Sequence, residues 1–268
     1  MSKVIRIISL ISIITIIFSI SSCCTGNPEP ESPPSGILSF DFKHKINDNI
    51  IVYDTFMYMN EAGNSYLVNE IQYFISDVSI SKVDGSSISL TNWEDIHYVD
   101  TDIDKTQKYT FKDEVAIGIY DKLSFTFGIV GEKNNSLMFV NPPESFMFWP
   151  ENLGGGYHYM KLNGKWINEI EQVSPYNFHL GIGQIYYSYP DSITGFIQNY
   201  FTINMQDTSF EIKENETCNL EIVMNVENWF RSPNTYNHNQ WGGDIMQKQE
   251  AMQLAVENGN DVFTYNIK

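Results

Sequence analysis

Histidine is the residue type in this chain with the clearest capacity for chemistry. The sequence contains His44, His97, His158, His179 and His238. A neutral imidazole is the commonest metal ligand in proteins, and its charge changes near neutral pH. Imidazole suits copper, particularly with thioether groups nearby, whereas sites made of carboxylates alone suit Mg²⁺ or Ca²⁺. Met160 follows His158 closely, so this segment is compatible with copper.

The spacing of the histidines does not by itself assemble a site. His44 ends an alternating segment, FDFKH, while His158 lies between two tyrosines and His179 lies in FHLG. A histidine at a strand position between aromatic residues is usually a core side chain with its polar atoms satisfied. From the residues alone, metal ligation and core packing therefore both remain open for each histidine.

Sequence motifs of the common enzyme classes are missing. The chain has no GxSxG, no P-loop, no HExxH and no GxGxxG before a helix. The three glycines at 154–156 precede a strand, which favours a tight turn over a phosphate cradle. The 33 acidic residues offer too many carboxylate pairs to nominate a catalytic one. The sequence therefore predicts a protein that is not an enzyme.

Short alternating segments make up most of the chain after residue 36. The first is typical, since Leu38, Phe40 and Phe42 alternate with polar residues. Similar segments lie at 50–56, 66–80, 96–99, 123–130, 157–162, 177–182, 196–203 and 218–226. They are rich in Ile, Val, Phe, Tyr and Thr, and Asp84-Gly85 is a typical hairpin turn. This pattern predicts an all-β sandwich or barrel.

One helix is predicted near the C-terminus. Ile245, Gln249, Met252 and Val256 recur at steps of three and four residues, which is the helical period. We expect Asp244 to cap its N-terminus, and we expect Gly259 to end it.

The N-terminus has the features of an export signal. Lys3 and Arg6 precede an apolar segment from Ile7 to Ile20, which is shorter than the ~20 residues of a membrane span. Ile20-Ser21-Ser22-Cys23 looks like a bacterial lipobox. We therefore expect residues 1–22 to be a lipoprotein signal peptide, and Cys23 to carry the acyl chains that anchor the protein in a membrane.

Composition and charge define the rest of the chain. Residues 23–36 contain four prolines and predict a disordered tether, which leaves 37–268 as a single domain. The formal charge is −17, and loss of Lys3 and Arg6 with the signal peptide gives −19. Such a charge argues against binding to nucleic acid. Three cysteines are too few for a disulfide scaffold.

Read in order, several segments resemble the MbnP-like family. They are LSFDFKHKI, NEIQYFISDVSISKVDGS, IHYVD, IGIYDKLSFTFGI, FWPENLGGGYHYMKLNGKW, FHLG and IMQKQEAM with NGNDVF. The resemblance covers residues 37–263. It implies an antiparallel β-sandwich with one short C-terminal helix, lipid-anchored to the outer membrane of the bacterial cell envelope.

The same resemblance implies a site. Relatives bind copper through histidines, and in some a tryptophan is oxidised to kynurenine by a di-haem peroxidase of the MbnH type. The matching residues here are His158 in GGGYHYMKL, His179 in FHLG and His44 in FDFKHKI, with Trp149 as the candidate for oxidation. This predicts a copper-binding envelope protein that handles the metal or is the substrate of a redox partner.

Two further expectations accompany this hypothesis. Hydrogen-bond acceptors must fix the imidazole tautomers, and Asp41, Asp77 and Glu151 are candidates. The alternative hypothesis is a metal-free module that binds glycans or a protein through exposed aromatic residues. Its candidates are Trp166, Trp229, Trp241 and the tyrosines at 186–189.

Overall fold

A computed structural model describes residues 33–90, 96–205 and 209–268. The expected signal peptide, the expected acylation site Cys23 and most of the expected tether lie outside the described residues. Residues 34–268 form one compact unit.

Short strands dominate this unit, as the alternating segments predict. In chain order they are β1 Ser35–Ile46, β2 Asn49–Ile50, β3 Tyr58–Met59, β4 Ser65–Ser81, β5 Ser87–Ser89, β6 Ile96–Asp100, β7 Lys108–Thr110, β8 Val115–Ala116, β9 Gly118–Tyr120, β10 Lys122–Phe127, β11 Met160–Ile167, β12 Val173–Leu180, β13 Gly183–Ser188, β14 Ser192–Ile197, β15 Phe201–Met205, β16 Phe210–Ile212, β17 Thr217–Asn225 and β18 Phe263–Ile267. The helices are α1 His238–Trp241 and α2 Gln249–Asn258. Single 3-10 turns lie at Asp104–Gln107, Glu144–Met147, Glu151–Leu153, Val226–Phe230 and Gly259–Asp261.

The strands form two main sheets. One has the order β18-β17-β1-β2, and β7 and β8 also pair with β1. The other has the order β12-β11-β4-β10-β15, and β3, β5 and β6 also pair with β4. The strand pairs are antiparallel except that β1 and β17 are parallel, with Ile37 opposite Thr217. The first sheet is therefore mixed, while the other pairs of the strands named above are antiparallel, as the antiparallel sandwich implied by the resemblance requires.

The two sheets enclose one hydrophobic core, which makes the fold a β-sandwich. Phe42 of β1 and Tyr73 of β4 meet edge to face with ring centroids 6.2 Å apart. Phe125 of β10 and Phe263 of β18 do the same at 5.3 Å. Edge-to-face pairs add to the free energy gained by burying these large rings. The predicted all-β sandwich is confirmed.

The first strand shows how the alternating pattern becomes buried structure. Leu38, Phe40 and Phe42 are almost completely buried, as the alternation with Ser39, Asp41 and Lys43 predicts. The strand begins at Ser35, two residues before the expected start of the domain at Ile37. The backbone N–H of Ile37 donates to Glu216 O at 2.9 Å. Ser35 and Gly36, which the composition alone assigned to the tether, pair with Ala116 and Val115 of β8.

Other predicted elements differ in detail. The Asp84-Gly85 turn joins β4 to β5 as predicted, with Gly85 at φ +85° and Ser81 opposite Ser87. The segment 50–56 is mostly irregular, because β2 ends at Ile50. The segment 196–203 is divided between β14 and β15.

The C-terminal helix begins later than its periodic pattern suggested. It starts at Gln249, and Lys248 occupies the N-cap position without a side-chain hydrogen bond. Capping by Asp244 was wrong, because its carboxylate accepts from Met246 N in a turn before the helix. Gly259 is the C-cap, as predicted. The four-residue helix α1 was not predicted.

Within the described ranges, none of the helices has the length and hydropathy that crossing a bilayer requires.

Candidate metal centre

A glycine turn brings two of the predicted site residues together. Residues 154–156 all have positive φ, between +69° and +124°, a region that glycine adopts without strain. On either side of this turn the chain pairs with itself: Trp149 N donates to Gly156 O at 2.8 Å, and His158 N donates to Met147 O at 2.6 Å. The glycines therefore form the predicted tight turn, and it places Trp149 beside His158.

Trp149 and His158 are both buried in this arrangement. Their ring centroids are 4.6 Å apart, with the rings near perpendicular. The indole Nε1 donates to Leu153 O at 3.1 Å, so the polar atom of the buried ring is satisfied. The other side of the indole packs against Gly181, where a Cβ atom would approach Trp149 Cε3 to 2.6 Å. Only glycine at position 181 allows this packing.

The pairing of β11 with β12 brings His179 to the same place. His179 lies opposite Lys161 in this strand pair, and Tyr159 N donates to Leu180 O at 2.7 Å just beyond it. The ring centroids of His158 and His179 are 5.1 Å apart and the rings are nearly perpendicular. Two histidines separated by 20 residues in the sequence are thus direct neighbours.

Each of these imidazoles has one nitrogen in a hydrogen bond and one without a protein partner. His158 Nδ1 lies 2.9 Å from Met147 O. A carbonyl only accepts, so Nδ1 carries the proton and Nε2 has the free lone pair. His179 Nε2 lies 2.7 Å from Asn163 Oδ1, which leaves Nδ1. Nε2 of His158 and Nδ1 of His179 are buried and have no partner among the residues that the structure describes.

The electrostatic environment keeps both rings neutral. Burial lowers the pKa of His179 to about 3, and the Lys161 ammonium contributes to this decrease. Burial also holds the pKa of His158 well below its usual range, together with the proximity of His179 and Lys161. Lys161 itself donates to Phe146 O at 2.5 Å, and burial lowers its pKa. At neutral pH the two imidazoles therefore have lone pairs that need no deprotonation before binding a metal.

These two residues fit a metal that accepts imidazole ligands. Their free nitrogens are buried acceptors, and a buried polar atom without a partner costs free energy unless something binds it. Over 33–90, 96–205 and 209–268, no group of three or more His, Cys, Asp or Glu side chains is placed to hold a metal.

His44, the third predicted ligand, lies elsewhere. It is buried on β1 opposite Met224, and its ring meets that of Tyr73 at 5.8 Å. Its Nε2 also has no partner in the described part of the chain, and burial lowers the pKa of His44 to about 3. The structure brings His158 and His179 together but does not add His44 to them.

The predicted acceptors are not the ones that orient the two imidazoles. Asp41 pairs with Lys43 and Lys268, Asp77 pairs with Lys133, and Glu151 is exposed. The acceptors are instead the Met147 carbonyl and the Asn163 amide. Alternation along β11 places Asn163 on the face of Lys161, but its proximity to His179 depends on the register with β12, which the sequence does not show.

The aromatic residues of the alternative hypothesis are mostly inside the protein. Trp229 is completely buried, Trp166 is 6% exposed and Trp241 is half-buried. Tyr187 and Tyr189 are exposed, on the β13–β14 hairpin. The three tryptophans therefore do not form an exposed stacking surface.

Comparisons with known proteins identify a family and a similar fold. The model of the MbnP family matches residues 35–248, which include the whole His158–His179 region. The solved structure of MbnP from Methylosinus trichosporium is similar, with a TM-score of 0.56 and 12% sequence identity. The similarity covers 87% of this chain and 99% of that chain, and at this identity it shows the fold alone. Comparison with curated proteins gives no match.

Proposed function

The chain belongs to the MbnP family, and on that premise we propose that it binds copper between His158 and His179 as a non-catalytic protein of the bacterial cell envelope. The observation that carries the proposal is the pair of neighbouring imidazoles, each with one buried nitrogen lone pair that no protein donor uses. Imidazole nitrogen is a good copper ligand.

The charge and the number of ligands favour the monovalent ion. Two neutral imidazoles supply no negative charge, and the Lys161 ammonium is close enough to lower the pKa of both rings. The same ammonium repels a bound cation, and it repels a divalent one twice as strongly. Structural zinc sites take four protein ligands, twice as many as this pair supplies. The site therefore suits Cu(I) better than Cu(II) or Zn²⁺.

Trp149 is the residue that a redox partner would modify. Its ring is in contact with His158, so a change of the indole would directly alter the surroundings of the metal. We propose a di-haem peroxidase of the MbnH type as the partner, and its haems would accept the electrons that the indole loses. In this reaction the C2–C3 bond of the indole would break, water would supply the oxygen atoms, C2 would leave as formate, and the four electrons would pass through the haems to two molecules of hydrogen peroxide. The kynurenine formed would place a carbonyl and an aromatic amine near His158, both of which are metal ligands by their chemistry.

Copper titration of variants tests the site. We expect the full chain, exported to the periplasm and purified, to bind about one Cu(I) in anaerobic competition with a chromogenic chelator. His158→Ala and His179→Ala should each weaken binding roughly tenfold or more, because each removes one of two ligands. The matched control is His44→Gln, which changes a buried histidine outside the pair and should leave the affinity as it is. Unchanged affinity in both alanine variants contradicts the proposal.

A further inference from the structure

We propose that Glu70 is a positioning residue that fixes the tautomer of His179 through the side chain of Asn163. This inference rests on the proposed function, because it explains how the Nδ1 lone pair of His179 is kept free for the metal. Glu70 lies on β4 and is the register partner of Asn163 on β11, whose other neighbour is β12 with His179. The three residues thus span three adjacent strands.

Two short hydrogen bonds join them. Asn163 Nδ2 donates to Glu70 Oε1 at 2.6 Å, and Asn163 Oδ1 lies 2.7 Å from His179 Nε2. An amide has one donor end and one acceptor end, so its orientation gives the chain of hydrogen bonds a direction. Hydrogen bonds to an ionised partner are stronger than neutral ones, so the bond to the Glu70 carboxylate determines the orientation of the Asn163 amide.

The direction determines where the imidazole proton lies. A carboxylate only accepts, so Asn163 must turn Nδ2 towards Glu70 and Oδ1 towards His179. Oδ1 also only accepts, so Nε2 of His179 must carry the single proton of the neutral ring. Nδ1 then holds the lone pair, and it is the atom that the structure leaves buried without a partner.

The tautomer of His158 is fixed without a side chain of this kind. Its Nδ1 donates to the Met147 carbonyl, a backbone acceptor that cannot turn around. The Asn163 amide, by contrast, can rotate by half a turn and exchange its donor and acceptor ends. Of the two tautomers in the pair, only that of His179 depends on a side chain outside the pair.

A change from acceptor to donor at position 70 is the direct test. In Glu70→Lys the ammonium only donates, so Asn163 should present Oδ1 to it and Nδ2 to His179, and the proton should move to Nδ1. The ring ¹⁵N chemical shifts of the metal-free protein distinguish the two tautomers. We expect the proton on Nε2 in the unmodified chain and on Nδ1 in Glu70→Lys, together with 10–100-fold weaker Cu(I) binding.

A second substitution separates this role from simple structural support. In Glu70→Lys with Asn163→Asp, the new carboxylate accepts from both neighbours, so Nε2–H and most of the copper affinity should return. Glu211→Lys, an exposed site with the same change in charge, is the control and should change neither readout. The proposal is overturned if folded Glu70→Lys keeps Nε2–H or if the double variant does not restore it. Because the shifts are read without metal, absence of copper binding would contradict the proposed function and leave the tautomer result intact.

Discussion

His238 has the least usual environment of any single residue that the structure describes. It is completely buried, and neither ring nitrogen has a hydrogen-bond partner. Aromatic rings surround it, namely those of Tyr66, Trp166, Tyr176, Phe230 and Tyr236. A buried N–H without an acceptor costs about 1–3 kcal/mol, and contact with a ring face offsets only part of this cost. His238 therefore packs as an aromatic ring and destabilises the fold through its polar atoms.

Replacement of this ring by an apolar one should stabilise the protein. Burial lowers the pKa of His238 to about 3, against about 6.5 in an unfolded chain. Between these pH values the unfolded state binds a proton that the folded state does not, so stability falls as the pH decreases. We expect His238→Phe to raise the free energy of unfolding at pH 7 by about 1 kcal/mol. The fall in the free energy of unfolding between pH 6 and pH 4 should become less steep by up to ~1.4 kcal/mol per pH unit.

Urea unfolding monitored by circular dichroism at several pH values measures both effects. An unchanged slope between pH 6 and 4 would mean that His238 is already protonated in the folded chain, in conflict with its burial.

For single residues, the sequence predicts which ones belong to the candidate site better than it predicts which residues they contact. His158 and His179 were found through the resemblance of their segments to a family, and they are neighbours in the structure. His44 was named with them but contacts Tyr73 instead, because ligand geometry depends on strand order and not on residue type. Asn163 was missed, since an asparagine within a strand has no feature that distinguishes it until the register is known.

Among the elements, the turn at 154–156 has the largest effect on the candidate site. It allows the segment with Trp149 to pair with the segment with His158. Gly156 has φ +75°, and a Cβ atom there would lie 2.6 Å from Cγ of Asn134. Asn134 is itself buried and accepts from Tyr157 N at 2.9 Å. The turn is thus constrained by backbone conformation and by packing together.

Gly156→Ala should therefore destabilise the fold and loosen the site. The left-handed conformation costs an alanine about 1–2 kcal/mol, and displacement of Asn134 adds to this. We expect a total loss of about 2–4 kcal/mol in urea unfolding and weaker copper binding. Gly63→Ala is a matched control, because Gly63 has φ +78° with open space around its Cβ position. Gly63→Ala should lose only the free energy of unfolding that the left-handed conformation costs an alanine, and it should retain the copper affinity. Equal losses of free energy of unfolding in the two variants would contradict the role of packing.

The strands were predictable where one face is buried and the other is polar. The pattern of β1 and of β4 gave both their existence and their buried faces. The periodic pattern gave the wrong start for α2. Ile245 is buried and its spacing from Gln249 and Met252 fits the helical period, but it lies in a turn before the helix begins. Parallel pairing of β1 with β17 could not be predicted, since a local pattern holds no information about a partner 180 residues away.

For the whole molecule, we propose that the N-terminal segment of the sequence determines where the protein resides. The expected anchor is the acylated Cys23, and each buried methylene of an acyl chain contributes about 0.8 kcal/mol to membrane binding. We expect Cys23→Ala to move the protein from the membrane fraction to the soluble fraction of cells. Detergent phase partition of the full chain, followed by immunoblotting, measures this shift. Cys24→Ala and Cys218→Ala are the controls and should remain with the membrane; release of Cys24→Ala alone would move the anchor to Cys24.

The parallel pair of β1 and β17 also has a consequence for how the chain acquires its structure. β1 lies between β17 on one side and short pairings with β2 and β7 on the other. Because the chain is synthesised from its N-terminus, β1 has no β17 to pair with until residue 225 has been made. Contacts so distant in sequence slow folding, because a long loop must close before they form. The mixed sheet can therefore form only after nearly all of the chain has emerged.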